Sequence, residues 1–97
     1  MIKHLVLLKF KAEATDNDIA DLEQSVGALP AVIPEIKGYE FGRDVVRSER
    51  SYDFAIVSAF DNLATMQRYQ VHPAHQAAAG KARILSESVV LVDFEYV

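Results

Sequence analysis

The 97 residues, 51% apolar and 25% charged, suffice for one domain spanning 1–97 and leave no room for a separate cofactor domain. The absence of cysteine excludes disulfide stapling, thiol catalysis and thiolate metal sites, and a formal charge of -4 disfavours nucleic acid as a partner. The longest apolar stretches, such as Leu5–Leu8 and Val89–Val92, fall far short of the roughly 17–25 residues of a membrane helix, and Met1–His4 leads straight into a hydrophobic alternation instead of a signal peptide, so a cytoplasmic protein with no membrane partner is expected.

Ile2–Phe10 reads as a strand, with Ile2, His4, Val6, Leu8 and Phe10 on one face and Lys3, Leu5, Leu7 and Lys9 on the other. Thr15, with Asp18 three residues on, marks the start of an amphipathic helix, and Ile19, Leu22, Val26 and Leu29 continue it to about Leu29, where Pro30 ends it. Gly38–Asp44 is a second strand with Tyr39, Phe41 and Arg43 on one side. A polar turn at Arg47–Ser51 follows, and Tyr52–Phe60 alternates as a third strand. Asp61 or Asn62 caps a short helix through Tyr69. His72-Pro73 starts another toward Leu85, because proline at the first helical position forfeits no needed amide and carries a suitable dihedral; Gly80 weakens its continuity. Ser88–Tyr96 closes as a strand, with Val89, Leu91, Asp93 and Glu95 on one face.

The order β-α-β-β-α-β predicts an α+β, ferredoxin-like fold: a four-stranded antiparallel sheet with the first and third strands central and both helices on one face. The opposite face, assigned Leu5, Leu7, Ala55, Val57, Val89 and Leu91, is then apolar and uncovered. A patch of that size calls for a second sheet, and a homodimer joined through Leu5, Leu7, Val57 and Leu91 is the economical partner.

The densest group of proton-transfer side chains is Tyr69-Gln70-Val71-His72-Pro73-Ala74-His75, with His4 in the first strand as a third histidine. Imidazole accepts a proton near neutral pH, and a tyrosine hydroxyl can hold a carbonyl oxygen as it gains charge. The same residues have structural uses: His72 as a helix cap, His75 as a half-buried hydrogen-bonding group, His4 bonded across the layer. His72 and His75 could share a helix face, yet no carboxylate adjoins them in sequence, so no metal is expected. Asp93 falls on the face assigned to the dimer. Gly38–Gly42 lacks phosphate-loop spacing, and Arg50–Ile56 departs from an RNA-binding strand at Ser51 and Asp53. Arg43, Arg47 and Arg50 read as solvated charge.

The opening strand Ile2–Phe10, the passage Pro34–Gly42, the Tyr-x-x-His-Pro-x-His run of Tyr69–His75 and the closing Val92–Tyr96 together resemble the stress-responsive A/B barrel domain (Dabb) family, over essentially the whole chain. The resemblance implies a dimeric α+β barrel and no cofactor. It also implies, by likeness to a plant polyketide cyclase of the family that closes a linear tetraketide thioester by aldol condensation, that His75 is a general base, Tyr69 its assisting hydroxyl and His4 a cavity residue. Phe54 stands where that cyclase has a further cavity histidine, which implies a smaller, drier substrate pocket lined by His4, Phe54 and His72. Three functions remain open: a homodimer binding a small apolar or carbonyl-containing molecule, with a stress response as one setting; a cofactor-independent lyase, cyclase or isomerase; and a purely structural dimer. An open pocket with the three ring groups convergent favours the first two.

Overall fold

The computed structural model describes all residues, 1–97. The elements are β1 (Ile2–Phe10), α1 (Asp16–Gly27), α2 (Leu29–Val32), β2 (Gly38–Arg43), β3 (Phe54–Phe60), α3 (Leu63–Gln70), α4 (Pro73–Leu85) and β4 (Ser86–Glu95). The strands form one antiparallel sheet in the order β2-β3-β1-β4, with β1 and β3 central as the chain order requires.

Side-chain caps set the starts of α1, α3 and α4. Thr15 and Asp18 exchange hydrogen bonds in a capping box at α1, Asn62 and Thr65 do the same at α3, and His72 accepts from the Ala74 amide ahead of Pro73 at α4. Two details differ from the sequence reading. The first helix breaks at Gly27–Ala28, and Pro30 lies in the opening turn of the separate α2, a position proline tolerates because that amide needs no intrahelical partner. The second long helix runs unbroken through Gly80.

The expected barrel is not formed. The sheet is open, with β2 and β4 as edges that pair with one neighbour each, and four strands are too few to curl round and meet. All helices pack on one face, where Leu8, Leu22, Ile33, Phe54 and Phe60 are sealed from solvent. The register also corrects the β4 faces. Leu5 and Leu7 of β1 stand opposite Val92 and Val90, whereas Val6 and Leu8 stand opposite Leu91 and Val89. Because cross-strand partners share a face, Leu91 and Val89 lie on the helix side; the outer face carries Val90, Val92 and Phe94 beside Leu5, Leu7 and Val57.

No helix is long and apolar enough to cross a membrane. Leu8 is fully buried whereas Val45 is almost wholly exposed. Leu8→Ala is expected to lower the unfolding free energy by about 2–5 kcal/mol in urea denaturation, and Val45→Ala to change it by less than about 0.5 kcal/mol.

Candidate functional site

A cavity of about 260 Å³ lies between the helical layer and the sheet, opening past Val89 and Leu91 of β4. Its walls are mostly apolar, and between His75 and Arg83 α4 presents only the small side chains of Ala78, Ala79 and Ala82 to it, which leaves the space unfilled there. His4, Tyr39, Tyr69 and His75 all line it.

Strand β1 delivers His4, which is only 4% exposed. Its Nδ1 is hydrogen-bonded to the Asp93 carboxylate directly opposite on β4. The carboxylate accepts, so it fixes the Nδ1–H tautomer and leaves Nε2 as the free nitrogen. The end of α3 delivers Tyr69, whose ring lies against Phe60 at 4.8 Å and meets His4 edge-on at 6.2 Å. The first turn of α4 delivers His75, with ring centroid 4.2 Å from that of Tyr69. Its Nδ1–H donates to the Gln70 carbonyl at 3.1 Å, since a carbonyl can only accept; the Nε2 lone pair is therefore available as a base.

The electrostatics favour a neutral ring. Burial lowers the His75 pKa, an effect opposed by the Gln70 carbonyl and reinforced by His4, Arg83 and His72. Burial also pushes the Tyr69 hydroxyl up to about 12, so it remains a proton donor throughout the neutral range. The site thus holds a neutral imidazole beside a neutral phenol in apolar surroundings. Such a pair can remove a carbon-bound proton and hydrogen-bond the oxygen that receives the charge.

The other sequence candidates lie elsewhere. The His72 Nδ1 is taken up by the Ala74 amide at 3.1 Å, and the ring does not line the cavity. Phe54 packs in the core between Phe10 and Phe41, at 5.9 and 6.1 Å, and is likewise outside the cavity wall. His72 and His75 thus serve different ends of the same turn, and no three His, Asp or Glu side chains converge. Arg43 is engaged by Glu23 and Asp16, and Arg47 by Asp44 and Asp53, so two of the three clustered arginines are already ion-paired within the protein.

Sequence reading missed two members of the site. Asp93 was expected on the outer face, whereas the β1–β4 register turns it inward onto His4; the available signal was the histidine of the first strand, which needs a partner that a carboxylate of the closing strand can supply. Tyr39 was placed on one side of the second strand and given no role.

An open antiparallel sheet backed by helices on one face, with a histidine–tyrosine cavity between the layers, defines a ferredoxin-like α+β protein. The chain matches the Stress responsive A/B Barrel Domain profile over residues 2–96 and belongs to that family. It is 30% identical to olivetolic acid cyclase of Cannabis sativa over 95 residues, which cover 96% of this chain and 94% of the cyclase. Among solved structures it is similar to a dimeric ferredoxin-like protein of unknown function from Thermobifida fusca, with a TM-score of 0.91 and 33% identity over 98% of this chain and 90% of that one. A dimeric protein of unknown function and the same fold from Bacteroides fragilis gives a TM-score of 0.87 and 31% identity, covering 98% of this chain and 95% of its counterpart.

In an NMR titration the His75 ring is expected to show a pKa below the ordinary 6.5, because burial disfavours its charged form. A value at or above 6.5 would contradict the neutral-base assignment.

Proposed function

We propose that this chain is the subunit of a homodimeric enzyme that acts on a small apolar carbonyl compound with its own side chains alone, His75 serving as general base and Tyr69 as oxygen donor. The observation that carries the reading is the meeting of His4, Tyr69 and His75 in one open apolar cavity, with a free Nε2 on His75. The 30% identity to olivetolic acid cyclase supports it.

In the proposed step the bond between hydrogen and the α-carbon of the carbonyl breaks. The proton passes to His75 Nε2, and the electron pair moves into the enolate, whose oxygen accepts a hydrogen bond from Tyr69. His4, held by Asp93, lines the same wall as a second imidazole with a free Nε2. The enolate carbon then either takes the proton back from His75 or attacks a second carbonyl carbon, whose π pair moves to its oxygen and takes up the proton from His75, which places isomerisation and ring closure within reach of one site.

Dimerisation is proposed through the outer sheet face. Leu7, Val92 and Phe94 are 38%, 60% and 44% exposed there, which is the kind of apolar surface a second copy would cover. Relatives at 33% and 31% identity are dimeric.

The direct test is deuterium uptake at the α-carbon of butyrophenone in D2O, followed by NMR. The protein is expected to accelerate it, His75→Ala to lose at least about a hundredfold of that acceleration, and Tyr69→Phe to lose less. Full exchange by His75→Ala would remove this residue from the mechanism, and binding without exchange would identify a carrier. Separately, Val57→Asp would set an unpaired charge between the sheets and is expected to halve the mass measured by light scattering. An unchanged mass would reject the outer face as the interface.

A further inference from the structure

One row of the sheet differs in kind from its neighbour. Tyr39, Ser58, His4 and Asp93 are successive partners across β2, β3, β1 and β4, and all four lie on the helix side. The next row, Phe41, Ile56, Val6 and Leu91, is wholly apolar. Three members of the polar row are satisfied within the protein: His4 and Asp93 bond to each other, and the Ser58 hydroxyl donates to the His4 carbonyl at 3.5 Å. Tyr39 is the exception. Its hydroxyl is buried without a hydrogen-bond partner although its side chain lines the cavity.

A buried hydroxyl left without a partner is costly, and it is tolerated where a bound molecule supplies the missing atom. Burial, with Tyr69 beside it, pushes the Tyr39 pKa well above the ordinary tyrosine value, so the group is a neutral donor. Its direction of approach is distinct. Adjacent strands lie about 4.8 Å apart, so Tyr39 stands roughly two spacings from His4 along the row and reaches the cavity from the β2 wall. Tyr69 reaches the same space from the helical layer.

We infer that Tyr39 is a ligand-binding residue whose hydroxyl donates to a second oxygen of the bound molecule, so that the cavity selects an apolar carbonyl compound carrying two oxygen acceptors over a simple ketone. The inference rests on the proposed reading of His75 and Tyr69, which hold the first oxygen and its neighbouring carbon. Tyr39 sets specificity at the other end and takes no part in the proton transfer.

A matched pair of probes tests it: 1-phenylbutane-1,3-dione, and butyrophenone, which has the same carbon skeleton without the second oxygen. Dissociation constants are measured by NMR titration for the wild-type protein and for Tyr39→Phe. The wild type is expected to prefer the diketone, and Tyr39→Phe to weaken diketone binding by about tenfold, the worth of one hydrogen bond, while leaving butyrophenone binding unchanged. Thermal melting without ligand supplies the second readout. Removing an unpartnered hydroxyl should leave the melting temperature equal or higher, whereas a fall of several degrees would show that the group is bonded within the protein and overturn the inference. Diketone binding that survives Tyr39→Phe intact overturns the Tyr39 assignment alone; failure of the wild type to bind either probe overturns the functional reading with it.

Discussion

The pairing of His4 with Asp93 is the interaction on which the arrangement of the sheet depends. A strand whose two faces are both apolar carries little information about which side turns inward, because a slip of one residue exchanges one greasy set for another. Between β1 and β4 that ambiguity is acute, since Val89 and Leu91 are as apolar as Val90 and Val92. The buried imidazole breaks the tie. With Asp93 turned outward, His4 would lose its carboxylate and keep its burial, and an unpartnered polar group in the interior costs more than either apolar set gains. The pairing therefore fixes the register, brings Leu91 and Val89 to the cavity mouth and sends Val92 and Phe94 to the open face.

The cavity follows from a second choice of residues. Its volume is set by α4, where alanine occupies the positions turned toward the sheet, while the first turn of the same helix carries His75. One helix thus provides both the space and the imidazole that faces it. The proline that starts it also matters: Pro73 allows α4 to begin immediately after α3, so Tyr69 and His75 lie on adjoining turns with their rings in contact. The Gln70 carbonyl, at the last turn of α3, fixes the His75 tautomer. The tyrosine–histidine pair is assembled by a helix junction, with no long loop to order, and this suits a chain with so little core to spare.

Much of this was legible in the residues. Alternation gave the strands and helix periodicity gave α1, and the chain order then left β1 and β3 no place but the centre. The Tyr69–His75 run marked two of the residues that line the cavity, because proton-transfer groups clustered at a helix start stand out against an apolar sequence. What could not be read were quantities set by the relation of one element to another. The face of Leu91 and Asp93 depended on register, which two apolar faces leave open until His4 is matched with a carboxylate. The burial of Phe54 depended on packing by Phe10 and Phe41, remote in sequence. The barrel was carried by resemblance, and strand pairing within the chain overturns it. Tyr39 illustrates the general limit: a tyrosine in a strand looks the same whether its hydroxyl is satisfied or orphaned, and only the placement of its neighbours decides.

The cavity has an energetic consequence for the whole molecule. An open cavity of about 260 Å³ leaves the side chains that line it without packing partners on one side. A domain has only about 5–15 kcal/mol of stability in total, so packing left unmade is felt in so short a chain. Two sources can restore it: a ligand that fills the space, and a second copy that covers the outer face. Each stabilises only the folded state, so each shifts the folding equilibrium by mass action. The two act on opposite sides of one sheet. The strands β1, β3 and β4 that would carry the interface on one face carry the cavity wall on the other, so clamping the sheet against a partner would also hold His4 and Asp93 in register beneath the ligand. In that arrangement the assembly proposed for the outer face and the chemistry proposed for the inner one draw on the same rigid element, and a chain of this size can support a preorganised site that it could not hold by its own core alone.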